Sequence, residues 1–542
     1  MASLIQNVYR KSRVYDWMLQ GSVPDRLRGA PPDPLPGDAD IGRRILDSDF
    51  RVFGHYRHLG DLPWLNRSID TPAEAQLHRF DFLRDLKALG TNEAAAKGRE
   101  LVIRWGNAFS RWHETGWQPA VTGARIVNWL GAFHFVDDVN QPGFGLSVRE
   151  QLAQQVRHLA RQIDEVPKQA GAFDAAEGLI LGGICLVGLE AMIDTGMTAL
   201  KAAINRQILP DGGHFQRSAQ VQHDVLATLV RTRDTLALAQ LEIPGWLENA
   251  ISQMVPVLRM LRHGDGDAAL FNGVNEGLAG SLDAILKASH IRGPALLNAP
   301  QTGFQRFETP TAVLIADSGA GVVSGADQDA HAGLLSFEFS RKRQRIIVNC
   351  GADPDRSSAW HDALRATAAH SALVVDDTNA IEVLSGGGLK HSITNVDCRR
   401  SDEGGSGYVQ MLHNGYRKMF GLVHSRDLYL ASTGEDLRGR DNLNLSGDCV
   451  GRPAERFTIR FHLHPDVSAE ALGGGDQAIL KLPNKEGWRF RCSGGSVSVQ
   501  DSVYVGYPGN PRRSRQIVVE GPISPLGVEV KWSLILERPK KR

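Results

Sequence analysis

The stretch RFTIRFHLHP (residues 456–465) decides how the second half of the chain folds. Apolar and polar residues alternate strictly from Phe457 to Leu463, and this period of two is typical of a β-strand with one buried face. The stretch GVEVKWSLILE (527–537) repeats the alternation, and shorter runs of the same kind recur from about residue 303 onward. Gly, Asp and Asn turns separate these runs. The pattern predicts a large antiparallel structure that is like a sandwich.

The first 300 residues show the spacing of helices instead. In LVIRWGNAFSRWHETGW (101–117), Leu101, Trp105 and Phe109 recur every four residues, which places them on one helical face. The stretch ISQMVPVLRMLRH (251–263) carries a similar apolar stripe. These patterns predict several amphipathic helices that bury one face each.

Two further signals set helix ends and the domain boundary. A helix is predicted from about Thr198 to Ile208, where LPDGG stops it, and Ser218 is suited to cap the helix that follows. We therefore predict a multidomain α + β protein. It has a helical domain over 1–300 and an antiparallel β-sheet domain over 304–542.

Composition limits the partners of the chain. The 542 residues contain 61 Lys and Arg and 61 Asp and Glu, so the formal net charge is zero and the sequence pI is about 7.3. Proteins that bind nucleic acid usually carry a net positive charge, so we expect no nucleic-acid partner. A local basic groove for an acidic ligand remains compatible with zero net charge.

Cysteine usage and the N-terminus bear on location. The five cysteines are odd in number and scattered, which favours a reducing compartment over a disulfide framework. No signal peptide and no transmembrane stretch stand out. We expect a cytoplasmic protein, with the cell envelope or periplasm, reached by unrecognised export, as the alternative.

Several local words resemble those of one known family. The first half contains WLNRSIDTPAEAQLHRFDFLRDL (64–86), RIVNWL (125–130), DGGHFQRS (211–218) and HGDGDAALFNG (263–273). The second half contains HAGLLSFEFS (331–340), RQRIIVNCG (343–351), LRATAAHSALVVDD (364–377) and FGLVHSRDLYL (420–430). Together, from about Pro63 to Leu536, these words resemble the heparinase II/III-like polysaccharide lyases.

The resemblance implies a fold and a reaction. The fold is an incomplete (α/α) toroid followed by layered antiparallel sheets, in agreement with the two periods found above. The reaction is β-elimination at a uronic acid of an acidic polysaccharide or oligosaccharide. This chemistry needs a group that neutralises the uronate carboxylate, a base for the C5 proton and an acid for the leaving oxygen.

The chain departs from the family at its usual catalytic positions. Ala170, Gly171 and Ala172 lie where an Asn-His pair is expected. Val221 and Gln222 lie where a Tyr-His pair is expected. In DAHAG (329–333), Asp329 replaces the first His of a His-x-His-x-Asp word, and Gly333 replaces its Asp.

The remaining catalytic candidates lie in and after the DGGHFQRS word. His214 is a possible general base, because a near-neutral imidazole suits proton abstraction. Arg217 is suited to a bidentate contact with a uronate carboxylate. His223, five residues past Ser218 on the predicted helix, is a third candidate.

Other residues are candidates for binding sugar. Arg125, Asn128 and Trp129 share one helical face by their i, i+3 and i+4 spacing, and the matching word of the family lines the toroid cleft. Trp117 in a loop is a candidate for stacking on a sugar ring. Tyr416, in the word HNGY, is a candidate tyrosine of the cleft.

No cofactor is required by the expected reaction, but some relatives hold a structural zinc ion in the β domain. The matching positions are His331, Asn349 and His370. Asn is a poorer zinc ligand than a carboxylate. His331 and His370 are therefore the residues expected to hold a metal, if one is bound.

Two other functions stay open. One is a non-catalytic glycan-binding protein that kept the fold and lost the catalytic residues. The other is a glycoside hydrolase that uses two carboxylates, for which Asp174 and Glu177 are the candidates near the expected cleft.

Overall fold

The structure is a computed structural model. It describes residues 7–138, 140–166, 171–322, 325–385, 387–390, 396–446 and 452–537. The chain forms two compact units. Unit one comprises 1–208, 224–252 and 284–291, and unit two comprises 209–223, 253–283 and 292–542.

The units do not divide at one position near residue 300, where the period of the sequence changes. Segments 209–223 and 253–283 belong to unit two because their side chains bind its strands. Arg217 pairs with Asp317, and His263 lies 2.9 Å from Glu338.

Unit one is built from helices. They are α1 (Arg13–Leu19), α2 (Ala39–Leu46), α3 (Thr71–His78), α4 (Leu83–Leu89), α5 (Asn92–Phe109), α6 (Pro119–Val136), α7 (Pro142–Ala160), α8 (Gly171–Cys185) and α9 (Ala191–Gln207). Three more helices have residues in both units: α10 (Ala219–Leu238), α11 (Gly245–Met260) and α12 (Ala279–Ala288). A short hairpin, β1 (Asp49–Val52) and β2 (His55–His58), interrupts the helical pattern and was not expected from the sequence.

Side-chain caps and the apolar stripe explain these helices. Asp70 accepts a hydrogen bond from the backbone N–H of Ala73 at the start of α3, and Thr91 accepts one from Ala94 at the start of α5. The stripe from Leu101 to Phe109 is buried, as the four-residue spacing predicts.

Glycines bring α6 and α8 into close contact. A Cβ on Gly123 would lie 2.1 Å from the carbonyl oxygen of Asp174, and a Cβ on Gly178 would lie 2.5 Å from the Cα of Gly123. A Cβ on Gly171 would lie 2.8 Å from the Cβ of Ala120. The two backbones therefore approach where larger side chains would separate them.

Unit two contains two antiparallel sheets. The strands of the first sheet are β9 (Val396–Glu403), β10 (Ser406–His413), β11 (Leu422–Leu430), β12 (Asp436–Leu445), β14 (Ser468–Ala471), β15 (Gln477–Lys481), β16 (Gly487–Ser493) and β19 (Val528–Glu537). Those of the second are β3 (Asn298–Ala299), β4 (Phe304–Glu308), β5 (Ala312–Asp317), β6 (Phe337–Arg341), β7 (Gln344–Val348), β8 (Leu373–Val375), β13 (Arg456–Leu463), β17 (Ser496–Tyr504) and β18 (Arg512–Pro522). The first sheet has the strand order β14-β15-β16-β19-β12-β11-β10-β9, and the second has the order β17-β18-β13-β7-β6-β5-β4-β3, with β8 paired to β13. Helices α13 (Ala359–Arg365) and α14 (Arg417–Phe420) lie in the connections.

Aromatic side chains fill the core of unit two. Trp532 stacks on Phe337 with ring centroids 5.6 Å apart and meets Phe461 edge-on at 4.8 Å. The apolar face of β13 is buried as predicted, but its polar face is largely covered as well, since His462 is 4% exposed and donates to the carbonyl of Ala368.

The predicted α + β class, with helices first and antiparallel sheets second, is confirmed. The helix predicted at 198–208 is the end of α9, and the helix predicted after Ser218 is α10. Among the described residues, no helix is long and apolar enough to cross a bilayer. The four described cysteines are free thiols, and Cys449 lies outside the described residues.

Candidate functional site

A cavity of about 220 Å³ opens within unit two, and we call it the unit-two cavity. Its wall brings together the DGGHFQRS word, the HGDGDAALFNG word and the segments around His331 and His361. Its lining residues are Gln216, Ser218, Gln220, Val221, Asn272, Gly273, Ala326, Asp329, Ala330, His331, Ala352, Asp353, Pro354, His361 and Arg365. Four stretches distant in sequence thus meet at one concave site, which is the usual form of a ligand site.

Hydrogen bonds hold the DGGHFQRS loop at its first residues. The Asp211 carboxylate accepts hydrogen bonds from the backbone N–H of Thr302 at 2.7 Å and from its hydroxyl at 2.6 Å. Gln222 accepts from the N–H of His214 at 2.7 Å and donates to the carbonyls of Gly212 and Met254. Gln222, which lies at the family's expected His position, therefore holds the loop in place.

His214, the first candidate base, is only 1% exposed. Its Nδ1 accepts a hydrogen bond from the N–H of Gln216 at 3.3 Å, and its ring meets Phe215 edge-on. Burial lowers the pKa of His214 to about 3. The ring is neutral at pH 7, and proton transfer to it is unfavourable while it stays buried.

Arg217, the candidate carboxylate binder, is paired inside the protein. Its guanidinium donates to the carbonyls of Thr302 and Gly303 and forms an ion pair with Asp317. The pair is buried, at 5% and 6% side-chain exposure. A uronate would have to displace Asp317, and breaking a buried pair is costly.

His223 lies on α10, where its Nε2 is 2.7 Å from the hydroxyl of Ser281. The ring is 3% exposed and does not line the unit-two cavity. The three catalytic candidates, His214, Arg217 and His223, are thus all buried. A catalytic role for each stays a prediction.

His331 and His370 form a neutral hydrogen-bonded pair. The Nε2 of His331 accepts from the N–H of Gly273 at 3.1 Å, so its proton lies on Nδ1, which is 2.9 Å from Nε2 of His370. His370 in turn donates from Nδ1 to the carbonyl of Ala366. Burial lowers the pKa of His370 to about 4, and it lowers that of His331 as well.

These residues do not fit a zinc ion. The nitrogens that would bind the metal already bind Gly273, Ala366 and each other. Asn349, at the third expected position, uses its side chain on Leu270 and Ser371. A Cβ on residue 333, the family's Asp position, would lie 2.5 Å from Cδ2 of His370, so only glycine fits beside this ring.

Two polar atoms at the wall of the cavity have no hydrogen-bond partner among the described residues. They are Nε2 of His361 and Oε1 of Gln216. His361 donates from Nδ1 to the carbonyl of Asp353 at 2.9 Å, so Nε2 carries the lone pair. His361 is 4% exposed. A buried acceptor without a donor is costly, which favours a ligand or side-chain movement that supplies one.

Unit one contains a separate belt of ion pairs around two adjoining cavities of about 250 and 240 Å³. Arg79 binds Asp174 through two hydrogen bonds of 3.0 and 3.2 Å and donates to Asp81 at 3.1 Å. Arg231 binds Glu177 at 2.6 and 3.0 Å. The two carboxylates considered for hydrolysis, Asp174 and Glu177, are therefore each neutralised by an arginine.

Arg125, a sugar-binding candidate, is fully buried in unit one. It donates to Gln155 and to the carbonyls of His78 and Gly116, and its guanidinium lies 4.1 Å from the Trp105 ring. Burial lowers the pKa of Arg125. Its contacts all lie inside the helical core.

The other candidates of unit one divide into core and cavity positions. Trp129 and Trp117 are each 2% exposed, and Trp117 donates to the carbonyl of Phe109. Asn128 lines both cavities of the ion-pair belt and donates to Asp81 at 2.8 Å. Sugar contact by these residues stays a prediction, and Asn128 is the one at a cavity wall.

Tyr416 lies in the core of unit two at 1% exposure. Its hydroxyl donates to the carbonyl of Leu373 at 2.8 Å, and burial raises the pKa of the phenol. Contact with a sugar would require the ring to leave this packing.

Glu74, His78 and His113 have the spacing of metal ligands, and the sequence analysis did not single them out. The Nδ1 of His78 accepts from the indole N–H of Trp105 at 2.8 Å, so its proton lies on Nε2 and binds Glu74 at 3.0 Å. A metal on Nε2 would force that proton onto Nδ1, against the Trp105 donor. The group is best described as a hydrogen-bond network.

The segment 353–361 was not predicted to take part in the site. Ser358 caps α13, and this Ser before AWHDALR is the signal that could have located the helix. His361, at the third helical position, has no sequence signal of its own, because its free nitrogen depends on the carbonyl of Asp353.

Comparison with known proteins agrees with this architecture. A sequence profile of the heparinase II/III-like C-terminal domain matches residues 291–533. FtsZ-localized protein C of Caulobacter vibrioides is 30% identical over 529 residues, covering 94% of this chain and 90% of that protein.

Solved structures share the fold. A crystal structure of heparinase III matches with a TM-score of 0.72 at 12% identity, covering 96% of this chain and 88% of the other. The heparan sulfate lyase HepC from Pedobacter heparinus, as a mutant, matches with a TM-score of 0.64 at 14% identity, covering 93% and 83%. The toroid-and-sheet fold expected from the resemblance is confirmed. By sequence profile and fold, the chain belongs to the heparinase II/III-like family.

Proposed function

We propose that this chain binds a uronic-acid-containing oligosaccharide or polysaccharide in the unit-two cavity and cleaves it by β-elimination. Membership of a family of polysaccharide-lyase type supports the reaction class. The cavity lies in the unit that contains the matched C-terminal domain.

The observation that carries the proposal is the free acceptor nitrogen of His361. Its Nδ1 proton is donated to the carbonyl of Asp353, so Nε2 keeps a lone pair that has no hydrogen-bond partner among the described residues, with Oδ1 of Asp362 4.0 Å away. An imidazole with an unshared lone pair at a cavity wall is suited to act as a general base. The sequence-based candidate His214 is more completely engaged.

In the proposed step, His361 acts first as the base and then as the acid. The Nε2 of His361 takes the C5 proton of the uronate, the C4–C5 double bond forms, and the bond from C4 to the glycosidic oxygen breaks. The imidazolium then returns the proton to the leaving oxygen. The products are one fragment with a C4–C5 unsaturated uronate at its new non-reducing end and one fragment that keeps the glycosidic oxygen at its new reducing end.

A second function is favoured by a different observation. The family's expected catalytic positions hold Val221 and Gln222, and Gln222 is used to fix the DGGHFQRS loop. A glycan-binding protein without elimination would have this arrangement. The relative from Caulobacter vibrioides is named for its location at FtsZ, and that name states no lyase activity.

One assay separates the functions. Wild type is incubated with a panel of uronate polysaccharides while ultraviolet absorbance of the unsaturated product and reducing ends are followed. We expect absorbance to grow, and His361→Gln to lose it, while His134→Gln, an exposed control, keeps it. Binding without absorbance would contradict elimination and leave glycan binding. Reducing ends without absorbance would indicate hydrolysis, despite the pairing of Asp174 and Glu177.

The cytoplasmic location expected from the sequence is part of the proposal. In that compartment an oligosaccharide is a more accessible substrate than a long polymer. Fractionation of cells that express a tagged chain tests the location directly.

A further inference from the structure

Beside the unit-two cavity, the segment 353–358 forms a turn that is held by internal hydrogen bonds. Asp353 accepts from the N–H of Asp355 at 3.1 Å, and Asp355 accepts from the N–H and the hydroxyl of Ser357 at 3.0 and 2.6 Å. Ser358 then caps α13 by accepting from the N–H of Trp360. The turn therefore presents the side chains between Asp353 and His361 in a defined place.

One arginine of this turn has a partner that exchanges easily. Nη2 of Arg356 lies 3.7 Å from Oδ1 of Asp329, and both side chains are accessible, at 34% and 57% exposure. Asp329 is itself a lining residue of the cavity. Ion pairs this exposed contribute little to stability, so an incoming anion replaces Asp329 at small cost.

Arg365, a neighbouring arginine, has buried partners that do not exchange easily. Arg365 is 1% exposed and donates to the carbonyls of Ala330 and Gly388 as well as to Asp362. Arg217 is likewise engaged with Asp317. Of these three arginines, Arg356 is the one that can bind a new carboxylate without breaking a buried contact.

An exposed aromatic residue follows Arg356 by four positions in the chain. Trp360 is 39% exposed and is the second residue of α13, the helix that also carries His361. An aromatic face offers a surface for a sugar ring, and a cation offers a partner for its carboxylate.

We infer that Arg356 selects acidic sugars by binding the uronate carboxylate in place of Asp329, with Trp360 as the stacking surface. This inference rests on the proposed use of the unit-two cavity. Arg356 supplies the charge neutralisation that elimination requires, which no sequence-based candidate supplies from an exposed position. Asp329, which stands at a His position of the family, competes with the ligand and restricts binding to anions that displace it.

Opposite effects of two variants test this inference. Affinity is measured by calorimetry for oligogalacturonate, oligomannuronate and a heparin-derived oligosaccharide. Arg356→Gln should weaken binding at least tenfold, while Asp329→Asn should strengthen it several-fold, because the competing carboxylate is gone. Arg438→Gln is the matched control, since Arg438 forms an exposed pair with Asp436 on β12 and does not line the unit-two cavity.

A second comparison measures how much the carboxylate of the sugar contributes to binding. The carboxyl-reduced oligosaccharide should bind wild type and Arg356→Gln equally, and Trp360→Phe should retain affinity that Trp360→Ala loses. Equal weakening by Arg438→Gln, an unchanged affinity in Arg356→Gln, or no binding of any probe would overturn the inference.

The role of Arg356 and the elimination reaction can fail independently of each other. Product formation with an unchanged KM in Arg356→Gln would overturn the role of Arg356 and leave elimination intact. Arg356-dependent binding without product would support the role of Arg356 and overturn elimination.

Discussion

The Nδ1 of His331 lies 2.9 Å from the Nε2 of His370, and each ring uses its other nitrogen on the backbone. One proton arrangement satisfies all of these contacts, with both rings neutral. The pair thus occupies the place of a metal site with hydrogen bonds alone.

Zinc should therefore leave the stability of the protein unchanged. Addition of zinc or of a chelator is expected to shift Tm by no more than the experimental error, because no free nitrogen is available at either ring. Scanning calorimetry with and without each reagent tests this. A rise in Tm that depends on zinc and disappears in His370→Gln would contradict it.

Stability should fall as the pH falls from about 6.5 toward 4. His370, with its pKa lowered to about 4, and His214, with its pKa lowered to about 3, are neutral in the folded chain. In the unfolded chain they take up protons below about pH 6.5, so acid favours unfolding over this window. The loss of stability is complete once the pH is below the pKa values of these histidines in the folded chain.

Urea titrations at pH 7.5 and pH 5 measure this loss. His370→Gln should reduce the difference between the two pH values, whereas His134→Gln, at an exposed position, should leave it unchanged. An identical pH dependence in His370→Gln and wild type would show that the pair does not contribute.

Arg217 should act on stability rather than on ligand affinity. Arg217→Ala leaves Asp317 buried and unpaired, which is expected to cost about 3–5 kcal/mol. The double variant Arg217→Met with Asp317→Leu should recover most of this loss, because no charge then remains buried. Urea unfolding measures both. Unchanged stability together with lost glycan affinity would instead support the carboxylate-binding role predicted from the sequence.

The contact between α6 and α8 should tolerate no side chain at Gly123. Gly123→Ala places its Cβ 2.1 Å from the carbonyl oxygen of Asp174, and such overpacking costs about 1–3 kcal/mol. Gly131, on the same helix, has no atom within 4 Å of an added Cβ. Gly131→Ala should therefore stabilise the chain by up to about 1 kcal/mol. Equal effects of the two substitutions would contradict the close contact.

A tyrosine at residue 221 should increase elimination. Val221 lines the unit-two cavity at the family's expected Tyr position, so Val221→Tyr brings a phenol to the cavity. Added general acid–base catalysis is typically worth about 10²–10⁴-fold in rate. Val221→Phe is the control, since it adds the ring without the hydroxyl, and an equal rate in both variants would exclude the phenol as the cause.

Sequence patterns predicted the fold in some detail. The stripe from Leu101 to Phe109 and the alternation from Phe457 to Leu463 depend only on which residues must be buried, and burial follows from local period. The hairpin at 49–58 was missed because its two strands are only four residues long. Two strands of that length leave little periodic signal.

The candidate site was predictable only in part. The DGGHFQRS word and His331 do line the unit-two cavity, through Gln216, Ser218 and His331 itself. Whether a side chain such as Arg217 faces a ligand or an internal partner depends on Asp317, one hundred residues away in the chain. No local pattern contains that information.

Residue period and local words are enough to predict the helical first half, the antiparallel second half and the family, because these properties are local. The polar groups that remain available are set by packing between distant segments. Long-range contacts engage His214, Arg217 and the pair His331–His370, and leave His361 with a free nitrogen and Arg356 with an exchangeable partner. The physical reason is that the availability of a charge or a lone pair depends on its neighbours in space.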